Sequence, residues 1–314
     1  MTSPSSARHY IGGGSIAAIL GISRFSTPLR EYLRIRGEGP ETTEEQEEFF
    51  EGRRDLEPFV RNKLKRRFKA NLVAQNVRYT DSEFPWMRAE IDAEEADSNY
   101  EIKTASQWVA ARDWGATDTD DYPAYVAAQA MWGLMIRPKP VAYVAPCIGF
   151  DDIRRYRLEP DPDAIAVMRS RAIRFWTEHV VPGVPPPPTT LEDVALLWPR
   201  SQAVKVTADA VVLEHVKKLA DLKEVMKRAK DGSDLHALAI KTAFGQADTM
   251  VDAVGKVVAT CKSPKDSLEF NALAYAEHLE AMLMERGVVP ETSFTAMRAE
   301  HTKPVQNARR LLLK

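Results

Sequence analysis

The period of the sequence changes near residue 71. Upstream segments repeat their apolar residues every three or four positions. Three runs then follow, LVAQNVRY, WMRAEIDAE and NYEIKTA, in which apolar and polar residues alternate as in half-buried strands. The turn AEEADSN joins the second and third as a hairpin. Three strands set between helices restrict the chain to a mixed α/β fold with a central mixed sheet flanked by helices.

The other elements follow from their boundary signals. IGGGSIAAILG is a glycine turn feeding a short apolar helix. Ser26 or Thr27 caps the next helix, Pro28 suits its first turn, Leu29, Tyr32 and Leu33 form its apolar face, and Gly37 ends it. A longer helical region starts near Thr42, which with Glu45 makes a capping box. Pro58 predicts a kink there, or two helices meeting. YPAYVAAQAMWGLMI predicts a buried helix, PVAYVAPCIG and DIRRYRLEPD two more strands, and 161–181 a helix. VPGVPPPP, 181–188, is a linker or wrap-around segment. Beyond it, 207–230 and 266–286 read as helices, with a small hairpin in VDAVGKVVATCKS. The expected organisation is a core domain over 1–184 and a mostly helical extension over 185–314, packed on the core.

Composition excludes several classes. With 314 residues and 44% hydrophobic content the chain can bury a large core, and its net charge of −2 makes any nucleic-acid footprint local. No apolar run reaches the roughly 18 residues of a membrane span. MTSPSSARHY lacks a basic-then-apolar leader pattern. Cys147 and Cys261 are far apart, which fits a reducing cytoplasm and gives no disulfide framework or zinc ribbon. The six histidines have no metal-ligand spacing, which argues against a zinc enzyme.

The chemistry-bearing residues cluster on the hairpin. In NYEIKTAS, Glu101 and Lys103 share a face while Ile102 points into the core. The hairpin brings Asp92 of RAEIDAE beside Glu101. Two carboxylates side by side repel unless a cation lies between them, and hard oxygen ligands suit Mg²⁺ or Mn²⁺. The Ile102 carbonyl adds a ligand, and Lys103 would then orient an attacking water or neutralise a phosphate. Asp-x8-Glu-x-Lys is thus a plausible kit for phosphodiester hydrolysis. The same spacing also arises as a solvated strand pair.

The segments around this kit decide between the two. IGGGSIAAILGIS, EGRRDLEP, IDAE, YEIKTAS, RDWG, YPAYVAAQAMWG and AYVAPCIG, in that order, resemble the YqaJ-type viral recombinase family. That family is related to lambda exonuclease within the PD-(D/E)XK nuclease superfamily. The resemblance spans roughly residues 10–160. It implies a restriction-endonuclease-like core and a two-metal site. Asp92, Glu101 and the Ile102 carbonyl would ligate metal, Glu57 would reach it from its helix, Lys103 would be the motif lysine, and Gln129 would hold the water or contact the DNA backbone. Tyr125 sits one turn before Gln129 on the same face. Members often show Gly-Gly-Ser-Asp where this chain has Gly12-Gly13-Gly14-Ser15, so the acid is missing, though Ser15 and the helix start could hold a phosphate. IDA replaces the commoner LDG, and Gly133 replaces a tyrosine of related helices.

DNA contacts would come from Arg53 and Arg54, with pairing to the glutamates of 44–51 as the competing role. The basic run Arg61 to Lys69 would track a duplex or form a solvated helix face. Trp114 reads as core, whereas Trp108 could stack on an end base. The resemblance implies an exonuclease acting on linear duplex DNA, 5′ to 3′, leaving single strands for an annealing protein. It also implies a homo-oligomer, in some members a ring-shaped trimer. The alternatives are a restriction-type endonuclease and a non-catalytic DNA-binding module that kept the fold.

Overall fold

The computed structural model describes residues 9–40, 42–108, 113–264, 271–287 and 291–302, the side chains of 291–293 excepted. It forms two compact units, Met1–Pro199 and Arg200–Lys314.

The first unit opens with α1 (Gly13–Ile19) and α2 (Pro28–Arg36). Thr27 caps α2, its hydroxyl accepting from the Arg30 amide at 3.2 Å, and Gly37 ends the helix at φ 73°, a conformation that costs glycine little. α3 (Glu44–Phe68) is capped one residue later than expected. Thr43 and Gln46 form the reciprocal box, at 3.1 and 3.2 Å, in place of Thr42 and Glu45. Pro58 lies inside α3, which continues through it as one 25-residue helix. A proline removes one backbone hydrogen bond, and the buried Val60 and Leu64 just beyond it anchor the following turns.

The sheet is built from β1 (Ala74–Thr80), β2 (Arg88–Glu94), β3 (Ser98–Ala105), β4 (Val141–Ile148), β5 (Asp152–Ile153) and β6 (Tyr156–Leu158). Its order is β1-β2-β3-β4-β5, with β6 also paired to β4. β1, β2 and β3 run antiparallel; β3 and β4 run parallel over eight paired positions, from Ser98 with Val141 to Ala105 with Ile148. A parallel pair needs a crossover, and α4 (Ala124–Ile136) supplies it. The single strand expected over DIRRYRLEPD is instead two short pieces, β5 and β6, both antiparallel to β4. α5 (Pro162–Phe175) runs into a π turn at Trp176–Val180. The proline-rich segment is irregular, and a short α6 (Leu191–Leu197), absent from the sequence reading, follows it.

Two apolar clusters cover the sheet. One joins Ile16 of α1, Leu29 of α2, Val126 and Trp132 of α4 and Met168 of α5. The other holds Val60 and Leu64 of α3 with Tyr100, Ile102 and Cys147. Ile11 adds a single parallel bridge at Met87, its amide donating to the Trp86 carbonyl at 2.7 Å.

The second unit contains α7 (Ala210–Phe244), the hairpin β7 (Thr249–Val251) and β8 (Val257–Thr260), α8 (Ala272–Glu285) and α9 (Glu291–Glu300). α7 runs 14 residues past the expected end at 230. The one breaker in that stretch, Gly232, costs an exposed helix only about 1 kcal/mol and does not stop it. The expected start of α8 at 266 lies outside the described residues. Among the described residues no helix is long and apolar enough to cross a membrane.

Candidate active site

The site forms where β2 and β3 separate. Ala93 pairs with Tyr100 and Glu94 with Asn99, and the same register continued places Asp92 opposite Glu101. There the ladder gives way to a side chain: Asp92 Oδ2 accepts the Ile102 amide at 2.7 Å. The strand also changes face at this point. Ala89 and Ile91 pack in the cluster with α4, while Ala93 packs in the cluster under α3. In a regular strand, positions two apart share a face. On the other side of Asp92 the β1–β2 pairing skips from Gln75–Ala93 to Val77–Ile91, and Asn76 between them has φ 51°. Asparagine is one of the few non-glycine residues that enters this left-handed region readily.

Glu101 and Lys103 point to one side of β3, as alternation requires, and Ile102 is buried on the other. Lys103 Nζ donates to Glu101 Oε1 at 2.5 Å and to Gln129 Oε1 of α4 at 3.0 Å. Burial raises the Asp92 carboxyl well above its ordinary range, and the Glu101 charge raises it further against the pull of Lys103. Burial also raises Glu101, offset in part by Lys103. For Lys103 burial works downward, but the charges of Glu101 and Asp92 outweigh it and the ammonium is held above its usual value. Lys103 alone therefore does not offset the cost of ionising both carboxyls. Two hard carboxylates side by side, Glu101 buried and Asp92 half-buried, suit a divalent cation.

Glu57 of α3 is close enough for its charge to raise both Asp92 and Glu101. It does not close on them: among the described residues no three Asp, Glu, His or Cys side chains gather into a cation cage. Its Oε2 accepts instead from Arg61, one turn later, at 3.3 Å. Arg61 also donates to Asn76 Oδ1 at 3.2 Å and to the Asp92 carbonyl at 3.4 Å. Arg61 is only 7% exposed, so it is neither a duplex-tracking residue nor part of the solvated face of its basic run. Arg61 and Asn76 are the site residues that sequence reasoning missed. An arginine four residues after Glu57 and an asparagine within a strand were the available signals.

The remaining candidates divide. Gln129 is brought to Lys103, and the close approach of α1 to α4 sets where it lies. A Cβ on Gly13 would come within 3.0 Å of the Gln129 Cγ and 3.6 Å of Trp132 Cδ1. Gly13 is thus a packing glycine. Ser15 is buried at 1% exposure, its hydroxyl accepting from Arg34 at 2.5 Å, so it faces the α2 side chains and not an open surface. Tyr125 packs edge-on against Phe25, with Arg24 over its ring. Arg53 lies over Phe49 and donates to the carbonyl and hydroxyl of Thr104, next to Lys103, at 2.7 and 2.9 Å. Arg54 is exposed and meets Glu51, within the glutamate run, at 3.9 Å. Trp114 is core, and Trp108 is 92% exposed.

The crystal structure of an alkaline exonuclease, LHK-Exo, from Laribacter hongkongensis superposes with a TM-score of 0.43 at 12% identity, covering 56% of this chain and 90% of that one. The same exonuclease in complex with dAMP gives 0.44 at 12% identity, with the same coverage. A Eubacterium rectale protein whose assignment as an exonuclease is provisional gives 0.41 at 12% identity, over 67% of this chain and 95% of its own. No curated protein matches the sequence. Residues 6–138, which hold α1 to α4, the first three strands and every candidate above, match the model of the YqaJ-like viral recombinase domain. Over those residues the first unit is similar to the YqaJ-like viral recombinase domain.

Proposed function

We propose that this protein is a metal-dependent exonuclease that degrades one strand of linear duplex DNA, 5′ to 3′. The observation that carries the reading is the convergence of Asp92, Glu101, Lys103 and Gln129 at the parting of β2 and β3. Asp92, Glu101 and the Ile102 carbonyl would hold Mg²⁺ or Mn²⁺, with Glu57 supplying a further oxygen, in a site that takes two ions. A bound ion of this kind polarises the phosphoryl oxygen and acidifies its water.

The chain's own groups do the rest. An ammonium has three N–H donors, and Lys103 uses two of them on Glu101 and Gln129. The third is left for a phosphoryl oxygen or the attacking water, in an orientation fixed by the other two. Glu101 on the strand and Gln129 on the helix thus hold one cation where negative charge develops during phosphoryl transfer. Arg53 of α3, bonded to Thr104 near the end of β3, would grip a phosphate, and the exposed Trp108 would stack on an end base. The product is a 3′ single strand for an annealing protein. A ring-shaped trimer in the cytoplasm of the host cell would account for processive action.

The test is degradation of linear duplex DNA labelled separately at its 5′ and 3′ ends, with Mg²⁺ and with EDTA, beside a covalently closed circle. Metal-dependent loss from 5′ ends with the circle intact is the expected result. Cutting of the circle would replace the reading with an endonuclease of restriction type. DNA binding without cleavage would replace it with a binding module.

A further inference from the structure

We infer that Arg61 and Asn76 form a positioning device beneath the catalytic carboxylates, a role that rests on the proposed metal-dependent reading. One guanidinium nitrogen of Arg61 joins three separate elements. It reaches Glu57 on α3 at 3.3 Å, Asn76 on β1 at 3.2 Å and the Asp92 carbonyl on β2 at 3.4 Å. These are the helix that carries one expected ligand, the strand that carries another, and the neighbouring strand whose left-handed residue lies opposite it.

The arrangement answers a packing problem. Asp92 can bond the Ile102 amide because β2 changes face around it. A strand that changes face loses regular ladder bonds there, and its freed carbonyl needs a donor. Arg61 supplies it. The left-handed turn at Asn76 lets β1 follow β2, and its side-chain oxygen accepts from the same guanidinium. Glu57 is the third acceptor, and its hydrogen bond to the i+4 arginine holds one carboxylate oxygen toward α3. Arg61 is 7% exposed, so little water is available to substitute for it. Arg61 touches no reacting atom. It sets where the oxygens of Glu57 and Asp92 lie.

The experiment uses the full chain and Mn²⁺ alone as probe, with affinity read by calorimetry and folding by circular dichroism and thermal melting. DNA cleavage is measured in parallel and separated into kcat and KM. Wild type is expected to bind Mn²⁺. Arg61→Met, which keeps the aliphatic stem, is expected to weaken Mn²⁺ by about 10- to 100-fold, as loss of an orienting partner does, and to lower kcat at unchanged KM. Arg61→Lys should recover part of both, since one ammonium reaches fewer of the three acceptors. In a Glu57→Gln background the further effect of Arg61→Met should shrink to less than half, because part of it acts through Glu57.

A folded Arg61→Met protein with wild-type Mn²⁺ affinity would overturn the inference while leaving the nuclease reading intact. If Arg61→Met does not fold, Asn76→Gly decides. It keeps the left-handed backbone and removes the side-chain acceptor, and a wild-type Mn²⁺ affinity there overturns the inference equally. A wild-type protein that binds no Mn²⁺ would overturn the nuclease reading and this role with it.

Discussion

Lys103 Nζ donates to Gln129 Oε1 at 3.0 Å, so a strand and the helix that crosses over from it are joined at the site by a charged hydrogen bond. Lys103 is simultaneously the cation of Glu101. Lys103→Ala is therefore expected to abolish cleavage, a loss of at least about 10²–10³-fold on the scale of one lost electrostatic donor. Folding should survive, because burial already raises Glu101 and the carboxyl can take up a proton when its partner goes. Glu101→Ala should abolish cleavage in the same way. End-labelled duplex DNA with a melting curve on the same samples checks both, and cleavage at the wild-type rate in either variant would sink the assignment.

Gln129→Ala removes an orienting acceptor and leaves the ammonium in place. A hydrogen bond to a charged group contributes about 1.5 kcal/mol, which is roughly tenfold in rate. The expected outcome is a kcat about tenfold lower with KM for DNA unchanged. A change confined to KM would show that Gln129 serves DNA binding instead.

Gly13→Ala tests whether the glycine run is there for packing. The new Cβ would sit 3.0 Å from Gln129 Cγ, closer than most real contacts, but that atom belongs to a side chain that can move. Stability should fall by less than about 1.5 kcal/mol. The displaced Gln129 should cost activity comparable to Gln129→Ala, and the double variant should add little beyond either single change. Equal activity with a lowered melting temperature would confine Gly13 to stability.

What could be read in the sequence follows from which signals are local. Alternation in WMRAEIDAE and NYEIKTA placed the hairpin, and spacing put Glu101, Lys103 and Asp92 together. Thr27, Pro28 and Gly37 bounded α2 because caps act within a turn. The face change at Asp92 was not legible: Ala89, Ile91 and Ala93 alternate as if on one face, and only the tertiary split sends Ala93 to the α3 side. Arg61 sits in a run of six basic residues that a helix would expose, yet it is buried where its guanidinium meets Asn76 and the Asp92 carbonyl. Ser15 looked like a phosphate ligand beside glycines, whereas Arg34, 19 residues away, occupies it. Interactions that join distant elements leave no periodic trace.

Asp193 gives a prediction about stability and pH that does not depend on the catalytic reading. It lies at the start of α6, is fully buried at 0% exposure, and accepts the Thr27 hydroxyl at 2.7 Å, the Thr189 amide at 2.9 Å and the Thr189 hydroxyl at 3.1 Å. Burial alone would raise its pKa, but these hydrogen bonds outweigh it and hold the carboxyl below its ordinary value. A group with a depressed folded pKa contributes stability that is present above the unfolded pKa, about 3.9, and lost as pH falls through the lower folded value. Asp193→Ala should thus destabilise the first unit by about 2–3 kcal/mol at pH 7, since it strands three donors that served a charge. The gap between wild type and variant should stay constant down to about pH 5 and then close as the wild-type carboxylate protonates. Thermal melts of both proteins from pH 7 to pH 3 check this, and a gap that widens on acidification would contradict the hydrogen-bonded, ionised Asp193.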